Sequence, residues 1–251
     1  MTNTEPKNYV APTSLLKDKV ILVTGAGDGI GRCAAKSFAA CGATVILLGR
    51  TVTKLEQVYD EITESGDTEP VIVPLCLEKA SEEDYLHMAE AIEEQFGQLD
   101  GLLHNAGLLG QKTSIANYQA ATWQQVMQVN VNAAFLLTKS VLPLMKASSD
   151  ASILFTSSGV GRHGRAFWGA YAVSKFATEG LAQVLSHELE EISNIRVNCI
   201  NPGATRTNMR AEAYPAENPA SLKTPEQIMP AYLYLMGPDS IGVNGQSFDA
   251  Q

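Results

Sequence analysis

Six short apolar runs punctuate the chain: KVILVT (19–24), TVILLG (44–49), PVIVPLC (70–76), LDGLLH (99–104), SILFTSS (152–158) and IRVNCIN (195–201). Most are close to continuous in hydrophobicity instead of alternating, the pattern of strands buried on both faces. Between them lie longer stretches of helical composition and period, among them RCAAKSFAACGA (32–43) and FATEGLAQVLSHELEE (176–191). This alternation predicts an α/β fold, a doubly wound parallel sheet covered by helices, in a single domain.

Local signals refine the helix ends. Thr53 to Glu56 and Ser81 to Asp84 read as capping boxes, and TPEQ (224–227) offers Thr224 as a cap with Pro225 at the first helical position. The most irregular later stretch, NMRAEAYPAENPASLK (208–223), is expected to form a surface loop or substrate lid. Residues 1–16 read as an N-terminal extension to a domain spanning 17–251, without the basic start and apolar stretch of a secretory signal.

Composition narrows the function classes. With 251 residues, 45% of them hydrophobic, the chain can bury a substantial core. A net charge of −9 argues against general nucleic-acid or membrane-surface binding, and no run of about eighteen apolar residues offers a membrane span. Cys33, Cys41, Cys76 and Cys199 form no C-x-x-C pair and read as reduced thiols of a cytoplasmic protein. His87 and His187 lie far from other ligand types, so no metal site is expected.

Candidate chemistry begins with TGAGDGIG (24–31), which follows the first strand and opens a helix. Glycine is needed there where the backbone bends sharply or approaches a pyrophosphate, and the helix start aims unpaired N–H groups at that anion. Such turns also serve tight packing alone. The strand before and the helix after make Gly25, Gly29, Ile30 and Gly31 candidates for cofactor binding. At the end of the second strand, LLGRTVTKLE (47–56), Gly49 stands where NAD-binding sheets offer a carboxylate to the ribose, and Arg50 follows. Arginine accommodates a 2′-phosphate, so NADP is expected in preference to NAD. Glu56 is read as the capping partner of Thr53. Asp28 counts against the assignment, since a carboxylate at about 4 Å would repel a phosphate by a few kcal/mol at an effective dielectric of about 20.

Tyr171 and Lys175, in GAYAVSKF (169–176), share one face of a helix. A phenol titrates near 10 and is a poor base at neutral pH without a nearby positive charge. The spacing alone fits both a stray exposed pair and a tyrosine prepared to move a proton.

Taken in order, TGAGDGIG, HNAG (104–107), NVNAAF (130–135), TSS (156–158), YAVSK (171–175) and NPGATRT (201–207) resemble the short-chain dehydrogenase/reductase family in its single-domain branch, over about residues 17–249. HNAGLLG and FTSSGVGRHGRAFWGAY are most similar to a bacterial, largely uncharacterised oxidoreductase subgroup. The resemblance implies a Rossmann-type sheet and an NADP-dependent oxidoreductase that passes hydride between nicotinamide and the carbon of a small carbonyl or alcohol substrate. It implies Tyr171 as acid or base, Lys175 as the group that lowers the tyrosine pKa and bonds the nicotinamide ribose, and Ser158 as the hydroxyl holding the substrate oxygen. It places Asn130 at a proton-relay water site, Asn105 at the cofactor and Thr207 on the nicotinamide amide. It also implies a homodimer or homotetramer built on the two long helices beside the active site.

Departures from the family are His104 for the first asparagine of NNAG, read as a core or strand-end histidine, and Cys76 where an aspartate often meets adenine. The chain also ends FDAQ instead of VDGG. A cofactor-binding regulator or pseudoenzyme with little turnover is the alternative, opposed by the intact Asn130, Ser158, Tyr171 and Lys175; a nucleotide-fold methyltransferase is opposed by Gly49 and Tyr171. Arg162, His163 and Arg165 after strand five, with Arg206 and Arg210 after strand six, are either solvated loop charges or partners for nearby carboxylates, or else a mouth attracting an anionic substrate, with Phe167 and Trp168 supplying apolar contact.

Overall fold

The computed structural model describes residues 5–251. Seven strands, β1 (Val20–Thr24), β2 (Thr44–Gly49), β3 (Val71–Pro74), β4 (Gly101–His104), β5 (Ala151–Thr156), β6 (Ile195–Asn201) and β7 (Ser247–Asp249), form one parallel sheet in the order β3-β2-β1-β4-β5-β6-β7. The helices are α1 (Gly29–Ala40), α2 (Val52–Glu64), α3 (Glu82–Phe96), α4 (Ala120–Met127), α5 (Ala133–Lys146), α6 (Gly169–Leu189), α7 (Asn208–Ala213) and α8 (Met229–Met236). The order reverses between β1 and β4, which opens a crevice beyond the carboxyl ends of the strands.

Strand alternation divides the core in two. Ile21 and Val23 of β1 join Phe38 of α1 and Tyr232 and Leu235 of α8 on one face. Val20 and Leu22 join Tyr85 of α3, Val141 of α5 and Leu185 of α6 on the other. Each such fully buried side chain contributes about 1.5–3 kcal/mol, so both faces resist sliding of the central strands. The six strands legible in the sequence form, while β7 is a seventh. Its residues, Ser-Phe-Asp, carry no apolar run, and it exists because Cys199–Asn201 of β6 offer it a free edge.

The helix starts depart from expectation in two places. The Ser81 box forms: the hydroxyl accepts from the Asp84 N–H, and the Asp84 carboxylate accepts from the Ser81 N–H at 2.8 Å. The Thr53–Glu56 box does not, because α2 already starts at Val52 and the Thr51 carbonyl takes the N–H groups of Lys54 and Leu55. Glu56 is therefore a solvated helix residue. Thr224 caps nothing with its hydroxyl; its N–H donates to Gln227 Oε1 at 2.8 Å, and a 3-10 turn over Glu226–Ile228 leads into α8. The 208–223 stretch is more regular than a loop. It contains α7 and a turn at Pro219–Ser221, and its end is pinned by the Arg206 N–H on the Lys223 carbonyl. Before β1, Leu16 is fully buried and Tyr9 donates to Asp239 at 2.7 Å, so this part of the chain packs beside α8.

Candidate active site

One cleft of about 520 Å³ runs along the carboxyl ends of β1 to β6. Beneath it Thr24, the last residue of β1, has its hydroxyl accepting from the N–H groups of Asn105 at 2.9 Å and Ala106 at 3.0 Å. That clamps the segment after β4 against the glycine turn. The closeness demands glycine: Gly25 has φ 67° and a Cβ there would stand 3.1 Å from Ala106 Cα, while a Cβ on Gly31 would stand 2.3 Å from the Gly25 carbonyl. Gly29, Ile30 and Asn105 join the lining, and the first N–H groups of α1 open beside them. Cys76, just past β3, lines the same cleft.

Arg50 leaves the end of β2 exposed on the cleft wall. Asp28, expected to repel a phosphate, is already engaged: Lys54 Nζ donates to its carboxylate at 2.5 Å and Asn208 Nδ2 at 3.1 Å. The Lys54 bond is the main reason its carboxyl is held below the usual range. Lys54 lines the cleft as well, and sequence reasoning missed it. Its signal was a misfit. A cation in the first turn of a helix is opposed by the helix dipole, and it needs an external anion to explain it.

Tyr171, in the first turn of α6, faces the cleft with Ser158 and Lys175. The Lys175 ammonium is buried, donates to the Thr156 carbonyl at the end of β5 at 2.6 Å, and lies 5.6 Å from the centroid of the Tyr171 ring. Burial pushes it down to about 8, with Cys199 and Glu179 opposing. Burial pushes the Tyr171 phenol up to about 12, and the Ser158 hydroxyl only partly opposes this. Among the protein's own groups desolvation of the phenolate outweighs the hydrogen bond that would favour it.

Asn130 sits in a π-type turn, Gln128–Asn132, between α4 and α5. Such turns inside helices recur at functional sites. Its Oδ1 accepts from the Leu108 N–H at 2.8 Å, and its amide donates to the Leu108 carbonyl at 3.0 Å and to Ser174 Oγ at 2.9 Å. The side chain thus bridges the loop after β4 to α6. Neither the π turn nor Ser174 was legible beforehand. Thr207 caps α7, accepting from the Arg210 N–H at 3.2 Å, and faces Gly29 across the cleft. His104 is a core residue: its Nε2 lies 2.8 Å from the Thr138 hydroxyl, it stacks on Phe155, and burial pushes it down to about 3.

Of the arginines expected at a mouth, Arg210 lines the cleft, and the protein's own groups engage it and the others. Arg162 is drawn to β7, donating to Asp249 at 2.8 Å, to Ser247 and to the Phe248 carbonyl, and it pairs with Glu179. Arg206 donates to the Pro219 carbonyl at 2.8 Å, Arg210 is paired twice with Glu217, and Arg165 reaches the Tyr214 hydroxyl. His163 and Phe167 are exposed, whereas Trp168 is buried on the cleft wall. Carboxylates, backbone carbonyls and hydroxyls of the protein take the four arginines.

Comparison with known proteins agrees with this geometry. The family profile described as short chain dehydrogenase matches residues 19–218. An uncharacterised oxidoreductase of Escherichia coli, YciK, is 54% identical over 244 residues, covering 97% of this chain and 96% of its own. A short chain dehydrogenase from Shigella flexneri complexed with NADP superposes with a TM-score of 0.93 at 54% identity, covering 96% of this chain and 100% of its own. One from Escherichia coli complexed with NADPH gives a TM-score of 0.93 at 55% identity, covering 96% and 99%. With the strand order, the glycine turn and the Ser158–Tyr171–Lys175 cluster in one cleft, these similarities make this chain a member of the short-chain dehydrogenase/reductase family.

Proposed function

We propose that the chain is an NADPH-dependent carbonyl reductase with Tyr171 as the proton donor. The observation that carries this is the Tyr171 phenol beside Ser158 and Lys175, in the same cleft as the glycine turn and Arg50. Residues present suit the cofactor: α1 N–H groups for the pyrophosphate, Arg50 for the 2′-phosphate, Asn105 and Thr207 along the nicotinamide half, and Lys175 for its ribose. The NADP and NADPH complexes of the relatives support the same choice. When bound, the cofactor supplies the hydride.

The remaining work belongs to the chain. Ser158 donates to the substrate carbonyl oxygen and fixes it beside Tyr171. As negative charge grows on that oxygen, the Tyr171 hydroxyl transfers its proton to it, and the charged Lys175 stabilises the phenolate left behind. Preorganised donors of this kind are worth a few kcal/mol. Behind Lys175 a cavity of about 10 Å³, bordered by Asn130 and Thr178, is near the size of one water and suits reprotonation from inside. The exposed Val173, Phe176 and Val184 on α6 and Phe135 on α5 support a homo-oligomer built on these helices. The reading is tested by following NADPH oxidation and alcohol formation on a broad panel of aldehydes and ketones. Turnover of at least one with stoichiometric alcohol is expected; tight NADPH binding with no turnover would favour a cofactor-binding regulator.

A further inference from the structure

We propose that the substrate is an uncharged carbonyl compound with an apolar body seated against Trp168, Leu109 and Met209; this rests on the reductase reading above. Beyond Tyr171 the cleft is walled by a small apolar cluster in which Leu109, Trp168 and Ala213 are buried and Met209 and Tyr214 pack against them. The Trp168 ring lies 5.7 Å from that of Tyr171 and 5.9 Å from that of Tyr214. The donor hydroxyl therefore stands at the edge of an aromatic wall.

The cations around this wall are spent on the protein. Arg210 holds Glu217 through two 2.6 Å bonds and lies 3.9 Å from the centroid of the Tyr214 ring. Lys112 donates to the Ala213 carbonyl at 2.7 Å, with its ammonium 4.2 Å from the Tyr214 centroid and 4.7 Å from that of Trp168. Arg165 also donates to Tyr214, at 3.2 Å. These groups gather on Tyr214 and fix the 208–223 excursion over the cleft. Glu212, exposed on the lining, adds a negative charge. An anionic substrate would meet that carboxylate and lose its water against apolar walls, and could recruit Arg210 only by breaking a bidentate pair. A neutral body loses little water and gains contact area.

The test uses matched ketones that differ only in charge, such as methyl 4-acetylbenzoate against 4-acetylbenzoate, with further ester and acid pairs of aliphatic ketones at saturating NADPH. The ester of each pair should show a kcat/KM higher by about tenfold or more, the scale at which pocket contacts discriminate. Glu217→Gln, which frees Arg210, should narrow that gap by improving the acid. Trp168→Ala should raise KM for the aromatic ester more than it lowers kcat, and Trp168→Phe should restore it. Acids turned over as well as their esters would overturn this assignment and leave the reductase standing. A protein that binds NADPH yet reduces no member of either set would overturn both.

Discussion

The Lys175 ammonium lies 5.6 Å from the centre of the Tyr171 ring while donating to the Thr156 carbonyl at 2.6 Å, so the sheet end holds the charge beside the phenol. Burial sets both titrations, Lys175 at about 8 and Tyr171 at about 12. Carbonyl reduction needs the phenol protonated and the lysine charged. The rate should be flat below about pH 8 and fall above it as Lys175 loses its proton. A kcat/KM profile for reduction that instead climbs through this window would contradict the assignment of the limb, and Lys175→Met should remove the limb while lowering the rate throughout.

Arg50→Ala should weaken NADPH by roughly tenfold or more, since a charge-assisted contact is worth about 1.5–3 kcal/mol, and leave NADH nearly unchanged. Lys54→Ala should weaken both nucleotides, because it leaves Asp28 uncompensated in the phosphate turn. Fluorescence titration of both nucleotides checks this. A wild-type preference for NADH would show that Arg50 does not meet a 2′-phosphate.

His104 gives an acid-stability signature. Its pKa is lowered from 6.5 to about 3, so between those values the unfolded chain binds a proton that the folded chain refuses. The stability is intact above the unfolded value and is lost as pH falls toward the folded one, at about 1.4 kcal/mol per unit. His104→Asn removes this titration. Its unfolding free energy in urea should decline less steeply than the wild type's from about pH 6.5 to about pH 5; equal slopes would mean that the folded imidazole accepts the proton.

Light scattering should find a dimer or tetramer at micromolar concentration. Phe176→Glu with Val184→Glu, on the exposed face of α6, should shift it toward monomer. A wild-type monomer would reject the helix-face interface.

Legibility in the sequence followed physical range. Buried parallel strands announce themselves by continuous apolar runs, so β1 to β6 could be read directly, and Ser81 and Asp84 form their box because both partners lie within one turn. β7 could not be read, since its pairing depends on an edge supplied by residues about fifty positions earlier. Ordered motifs singled out Ser158, Tyr171 and Lys175, which share one cleft, yet the direction in which burial pushes the phenol and the ammonium was not legible, because burial is a property of the whole fold. The partners of long side chains were the least legible. Arg162 reaches β7 and Arg206 reaches backbone carbonyls across the chain, while Lys54 turns to Asp28; none of these partners is adjacent in sequence.

The central claim is that Tyr171 delivers the proton, and Tyr171→Phe tests it most directly because it removes one hydroxyl and little else. On any ketone the wild type reduces, kcat should fall by about 10² to 10⁴ while NADPH affinity stays within about twofold. A Tyr171→Phe protein that keeps more than half of the wild-type rate would contradict the account.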